Sequence, residues 1–144
     1  MKISSILSKK GGEIISIGHE ATVQNAIGVL AEHNIGALVV MDASGELTGI
    51  ISERDIILAA AKRHDIGSVP VSEVMTTEVI IGLPEDDVIS VANIMTEKRF
   101  RHLPIRSGGR LIGIVSIGDI LKAQRDEYMG EMDTLETQLM ANED

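Results

Sequence analysis

Apolar residues fall in short, broken runs along this chain, and the spacing within each run predicts an element. Ile14-Ile15 and Val79-Ile80-Ile81 are brief runs of β-branched side chains, the composition of strands. Val23, Ala26, Ile27, Leu30 and Ala31 recur every three or four residues, the apolar stripe of an amphipathic helix, and Val88, Val91, Ala92 and Met95 repeat that spacing. Thr22 and Asp87 stand where these helices take their N-caps. Ala37–Met41 and His102–Arg106 read as strands, Ser44-Gly45 and Gly108-Gly109 as tight turns, and Leu47–Ile51 and Leu111–Val115 as return strands. A further helix begins after Ser52 and after Ser116. Pro104 is out of place here, because a proline in a strand suits an edge or a bulge.

The elements come in the same order twice because the sequence repeats. GIISERDI at 49–56 and GIVSIGDI at 113–120 share Gly, Ile, Ser, Asp and Ile in register, 64 residues apart. HNIGALVVM (33–41) faces KRFRHLPIR (98–106), and EIISIGHEATV (13–23) faces EVIIGLPEDDV (78–88), both at an offset of 65. The one-residue slip falls in a turn, DASGE against SGGR, where slips are tolerated. A short lead-in opens each copy, SSILS (4–8) and SEVMT (72–76). The expected organisation is a β-α-β-β-α unit at 3–66, a second at 70–127, and an acidic extension at 128–144. Two copies are too few for a solenoid, so they are expected to pack as a pseudo-symmetric pair.

Composition narrows the picture. With Phe100 and Tyr128 its only aromatics, the chain must build its core from aliphatic side chains and Met, and it lacks stacking platforms for single-stranded nucleic acid. A net charge of −9 also counts against nucleic acid. No cysteine is present, which removes disulfide and thiol chemistry. The start, MKISSILSKKGG, is too short and polar for a signal peptide, and the longest apolar stretch, Ile35–Met41, is far below a membrane span. A soluble, cytoplasmic protein with no membrane partner is expected. Positive charge is uneven: Lys98, Arg99, Arg101, Arg106 and Arg110 are five of the 13 Lys and Arg residues.

The repeated Ser-x-x-Asp carries the candidate chemistry. As a capping box, the serine and the acid three residues on satisfy free amides at a helix start. The same amides attract anions, so the position also suits a phosphate. Asp55 and Asp119 each offer two oxygens, enough to accept from both hydroxyls of a ribose. Ser52 and Ser116 offer hydroxyls and nearby amides, and Arg54 adds a planar fork for phosphate. The second copy has Gly118 in place of Arg54, which lets a ligand approach the backbone. On the binding reading, Asp119→Ala weakens nucleotide binding and leaves the ligand-free melting temperature nearly unchanged; a loss of stability marks a cap instead.

These motifs, with RHLPI at 101–105 and VSEVMT at 71–76, resemble a tandem pair of cystathionine-β-synthase (CBS) domains, in the layout of stand-alone CBS-pair proteins. The resemblance covers about residues 3 to 127. It implies an α+β fold of two pseudo-symmetric β-α-β-β-α repeats packed sheet to sheet, with two clefts between them. It implies an adenosine ligand there: AMP, ADP, ATP, NAD(H) or S-adenosylmethionine, with magnesium accompanying ATP and no required cofactor. By resemblance, Arg101, His102, Leu103 and Pro104 line the second cleft, where the first copy has Gly36-Ala37, so the sites are expected to be unequal. Ile15, Ile17, Val79 and Ile81 are candidate walls for adenine, or plain core. Thr22 is either a cap alone or a cap that also touches ligand in the first site. The expected function is a regulatory, nucleotide-sensing homodimer that modulates a partner, with thioredoxin regulation implied by plant relatives. The alternative is a ligand-free interaction or structural dimer.

An enzyme is not expected. HDIG at 64–67 looks like the metal-binding core of HD-type phosphohydrolases, but that chemistry needs more His and Asp ligands on several helices, and here it lies in the link between repeats. Leu121, Met129, Met132, Leu135 and Leu139 recur at roughly helical spacing near the C-terminus. They predict a helix as far as Gly130, continuing either as a solubilising acidic tail or as a helix packed on a second subunit.

Overall fold

The computed structural model describes residues 1–142. The chain divides into two compact units, one of residues 13–81 and one of residues 1–12 with 82–144. Each unit therefore combines the body of one repeat with the lead-in of the other.

In the first unit, β1 (Ser16–Gly18) lies parallel to β2 (Ala37–Met41), which lies antiparallel to β3 (Leu47–Ser52). Between β1 and β2 runs α2 (Val23–His33), and α3 (Glu53–Ala60) follows β3. Thr22 opens α2 as half of a capping box with Asn25, and Asn34 closes it in the left-handed conformation. Val23, Ala26 and Leu30 of α2 pack with Leu38, Val40, Ile51, Val69 and Val71 as the core. The second unit has α1 (Ile3–Lys10), α4 (Val88–Lys98), the hairpin β4 (His102–Ser107) and β5 (Arg110–Ser116), and α5 (Ile117–Asn142). Its core sets Ile3 and Ile6 of α1 against Val88, Val91, Met95, Leu103, Ile105, Val115 and Ile120. The β4–β5 turn needs positive φ twice, which Gly108 and Gly109 supply at 58° and 77°.

The lead-ins are held by matching backbone bonds. Val69 O accepts from Val23 N (2.9 Å), Ala21 O from Val71 N (2.7 Å) and His19 O from Ser72 N (3.2 Å). In the other unit, Met1 O accepts from Val88 N (3.0 Å), Asp86 O from Ile3 N (3.0 Å) and Pro84 O from Ser4 N (2.9 Å). The shared glycine of GIISERDI and GIVSIGDI now has a reason. A Cβ on Gly49 would lie 2.6 Å from Thr76 O and 2.7 Å from Met75 Sδ. One on Gly113 would lie 2.7 Å from Leu7 Cδ2. The return strand must be bare where the lead-in crosses it.

Two elements differ from the sequence expectation. The first strand is Ser16–Gly18 rather than Ile14-Ile15, although Ile15 O still accepts from Val39 N at 3.4 Å. Val79–Ile81 is not a strand; the corresponding pairing is one parallel bridge, Gly82 to Ile105. Pro104 accounts for this: it occupies the position of Val39 but has no N–H to donate, so pairing begins only at Gly82, whose N–H bonds Pro104 O at 2.9 Å. The proline is tolerated because its nitrogen faces away from β5. The extent of α5 beyond Gly130, which the sequence left open, is settled by a helix that reaches Asn142. Glu143 and Asp144 of the expected 128–144 extension lie outside the described residues.

Gly49→Ala is expected to destabilise the protein by about 1–3 kcal/mol, because a backbone carbonyl must move to admit the methyl group. Gly113→Ala should cost less, since only the end of Leu7 must yield. Denaturant titration of both variants checks this; no loss in either would mean the lead-ins do not rest on these glycines.

Candidate functional site

Both Ser-x-x-Asp segments fold into the same cap. Ser52 ends β3 and caps α3: its N–H donates to Asp55 Oδ2 (3.0 Å) and its Oγ accepts from Asp55 N (3.2 Å). Ser116 ends β5, its N–H donating to Asp119 Oδ2 (2.9 Å) and its Oγ accepting from Asp119 N (3.1 Å). The approach strand is tied on in the same way each time, Gly36 O accepting from Glu53 N (3.0 Å) and Arg101 O from Ile117 N (2.9 Å). β2 and β4 therefore deliver Ala37 opposite Ser52 and His102 opposite Ser116. Each cap collects a hydroxyl, a carboxylate and helix-start amides, a donor and acceptor set suited to a ribose phosphate.

The caps differ in what the lead-in brings to them. At Asp55 it brings Thr76, whose Oγ donates to Oδ1 (3.2 Å) while its backbone bonds Ile50 in both directions (2.8 and 3.0 Å). At Asp119 a single side chain takes both places: Lys10 Nζ donates to Asp119 Oδ2 (2.6 Å) and to Ile114 O (2.5 Å). Burial by itself pushes the Asp119 carboxyl up, but the hydrogen bonds from Lys10 and Ser116 and the Lys10 charge outweigh it and hold the group below the usual carboxylate range. Beside this pair is a cavity of about 220 Å³ lined by Ile6, Lys9, Lys10, Asp119, Lys122 and Asp126, among others.

Residues 3–62 and 71–126 each match the family model described as the CBS domain. The chain belongs to the CBS domain family. A 17.7 kDa uncharacterized protein of Acidianus ambivalens is 43% identical over 129 residues, covering 88% of this chain and 75% of that protein. The CBS-domain containing protein ATU1752 of Agrobacterium tumefaciens superposes with a TM-score of 0.83 at 38% identity, covering 85% of this chain and 92% of that one. CBS domain protein PAE2072 of Pyrobaculum aerophilum, solved in complex with AMP, superposes with a TM-score of 0.73 at 27% identity, covering 83% and 89%.

Within the first CBS unit, Ile17 lies in β1, Thr22 caps α2, Ala37 opens β2, and Ser52, Arg54 and Asp55 form the start of α3. Ile15, Val79 and Ile81 are half-buried and outside regular strands. Within the second, Leu103 and Pro104 are buried in β4, Arg101 is exposed just before it, and Gly118 and Asp119 lie in the first turn of α5. Sequence reasoning missed Lys10 and Thr76. The SEVMT lead-in ends on Thr76, so the signal was present; what was hidden was that a lead-in reaches a cap. The HDIG segment is structural: Arg63 clasps both oxygens of Asp65 at 3.1 Å and approaches Glu73 at 3.5 Å. Among the described residues no group of three His, Asp or Glu side chains could hold a metal ion, and no helix is long and apolar enough to cross a membrane.

Truncating Asp119 removes the acceptor of the Ser116 amide and strands Lys10. Asp119→Ala should therefore lower ligand-free stability by about 1–2 kcal/mol, in place of the unchanged melting temperature expected from sequence. Lys10→Met isolates the ion pair, which is partly solvated and contributes about 1 kcal/mol or less. The folded pKa of Asp119 lies below its unfolded value of about 3.9, so this contribution is present above that pH and lost as pH falls through the folded value. Urea denaturation of wild type and Lys10→Met should show a gap at neutral pH that closes on strong acidification. A gap of constant size would exclude Asp119 as the partner.

Proposed function

We propose that this CBS-pair protein senses an adenine nucleotide, each Ser-Asp cap gripping a ribose through its carboxylate and a phosphate through its serine and helix-start amides. The observation that carries the reading is the cap built twice, at Ser52/Asp55 and Ser116/Asp119, with cationic groups nearby. AMP bound to the Pyrobaculum relative supports this ligand class. AMP, ADP and ATP are the leading ligands, with NAD(H) and S-adenosylmethionine as variants; magnesium would arrive with ATP.

The two caps would not bind alike. Thr76 attends Asp55, with Arg54 its neighbour in the chain, whereas Lys10, with Lys9 and Lys122 along the adjoining cavity, attends Asp119. Arg101 and His102 open the strand beside Ser116 and add to that half. The Asp119 half is thus suited to the ligand with more phosphates, which would draw Lys10 from the carboxylate onto a phosphate. Ile15, Ile17, Val79 and Ile81 would enclose the base. Occupancy shifts the population of conformations, and the altered surface regulates a partner protein in the cytoplasm; a thioredoxin is one candidate. The role is regulatory rather than catalytic.

Calorimetric titration with AMP, ADP, ATP, NADH and S-adenosylmethionine tests the reading. At least one should bind, and Asp55→Ala or Asp119→Ala should weaken it by about 1.5–3 kcal/mol, the range for hydrogen bonds to a charged group. Lys10→Met should weaken ATP more than adenosine. No heat and no thermal shift with any of the five at millimolar concentration would leave the caps as helix caps alone, and the chain as an interaction module without a ligand.

A further inference from the structure

From Arg125 to Ala141 every residue of α5 is exposed. In proteins most helical stability comes from packing of an apolar face rather than from propensity, and Gly130 costs roughly 1 kcal/mol more than alanine would. Something must lie against this helix. Its apolar residues say where: Leu121, Tyr128, Met132, Leu135 and Leu139 follow the seven-residue spacing of a coiled-coil seam, with Arg125 at the one polar seam position. These five are 41–64% exposed, too continuous a stripe to be scattered surface residues.

We propose that α5 pairs with α5 of a second copy of this chain, as an antiparallel two-helix coil centred near Gly130. The charges beside the seam select both the occupant and the direction. In a parallel pair, Arg125 would face the partner's Arg125 inside the seam, and Glu131 would lie beside the partner's Glu136. Antiparallel pairing about Gly130 sets Tyr128 against the partner's Met132, Arg125 against the partner's Leu135 and Leu121 against the partner's Leu139. Lys122 then meets the partner's Glu136, and Arg125 reaches the partner's Glu131 and Glu136; the one like-charge approach, between the two Glu131 side chains beside the axis, is offset by these Arg125 contacts. Arg125 is free to make this exchange, since its present ion pair, with Asp126 at 3.6 Å, is exposed. The seam is thus complementary to its own reverse, which a foreign partner or a lipid surface would not require.

The absence of cysteine makes the test clean, because one introduced thiol is unique in each copy. Met129 falls close to the twofold axis of the antiparallel pair, so Met129→Cys should cross-link into a covalent dimer with a short bismaleimide. Leu139→Cys should not, because its two copies would stand about 27 Å apart along the helix axis at 1.5 Å per residue. Sedimentation of the wild type should show a dimer, lost in Leu135→Glu/Leu139→Glu. Cross-linking at 139, with or without cross-linking at 129, would overturn the antiparallel pairing. A monomer, or a dimer linked at neither position, would overturn the proposal altogether and leave α5 to a different protein or a lipid surface.

Discussion

Each unit depends on one crossing, the lead-in laid over a glycine of the return strand. Gly49 and Gly113 leave no room for a side chain, so the lead-in backbone comes close enough to reach the cap beyond it. That proximity organises the rest of the unit. It puts Ile3 and Ile6, or Val69 and Val71, into a core that the repeat body would otherwise leave open. It also brings Thr76 to Asp55 and Lys10 to Asp119. Packing and site chemistry are therefore not separate layers here: the segment that closes the core also sets the electrostatics of the carboxylate.

Twofold repetition supplies the frame, and departures from it supply the differences between the two caps. Thr76 is a neutral donor and brings no charge to Asp55. Lys10 is a cation, so Asp119 is already part of a pair. One carboxylate accepts from neutral donors, and the other is held by an ammonium group. A module with two copies of one cap thus presents two electrostatic environments without altering the cap.

Much of this was legible in the sequence, and the reasons for the rest are physical. Caps and amphipathic helices are local, so Thr22, Ser52, Asp87 and Ser116 could be placed from spacing and side-chain chemistry. The repeat gave element order and the family. Long-range contacts were not legible: nothing in SSILSKK says that its last lysine reaches a carboxylate 109 residues away. The strand expected at Val79–Ile81 failed because β-branched composition reports side-chain preference, whereas a ladder needs an N–H on the neighbouring strand, and Pro104 has none. The odd proline and the missing strand were one fact seen from two sides. How far α5 runs past Gly130 was left open by the sequence, because a glycine lowers helix propensity without fixing an end.

The exchanged lead-ins also bear on how such a chain could have arisen. A single repeat of this kind has its covering segment in the wrong place for its own return strand, and alone would leave a bare glycine and an open core. Two separate copies could complete each other by swapping that segment, as in a domain-swapped dimer. Joining them end to end turns a concentration-dependent association into an intramolecular one, and only then can the two halves diverge, a lysine in one lead-in and a threonine in the other, without each change appearing twice.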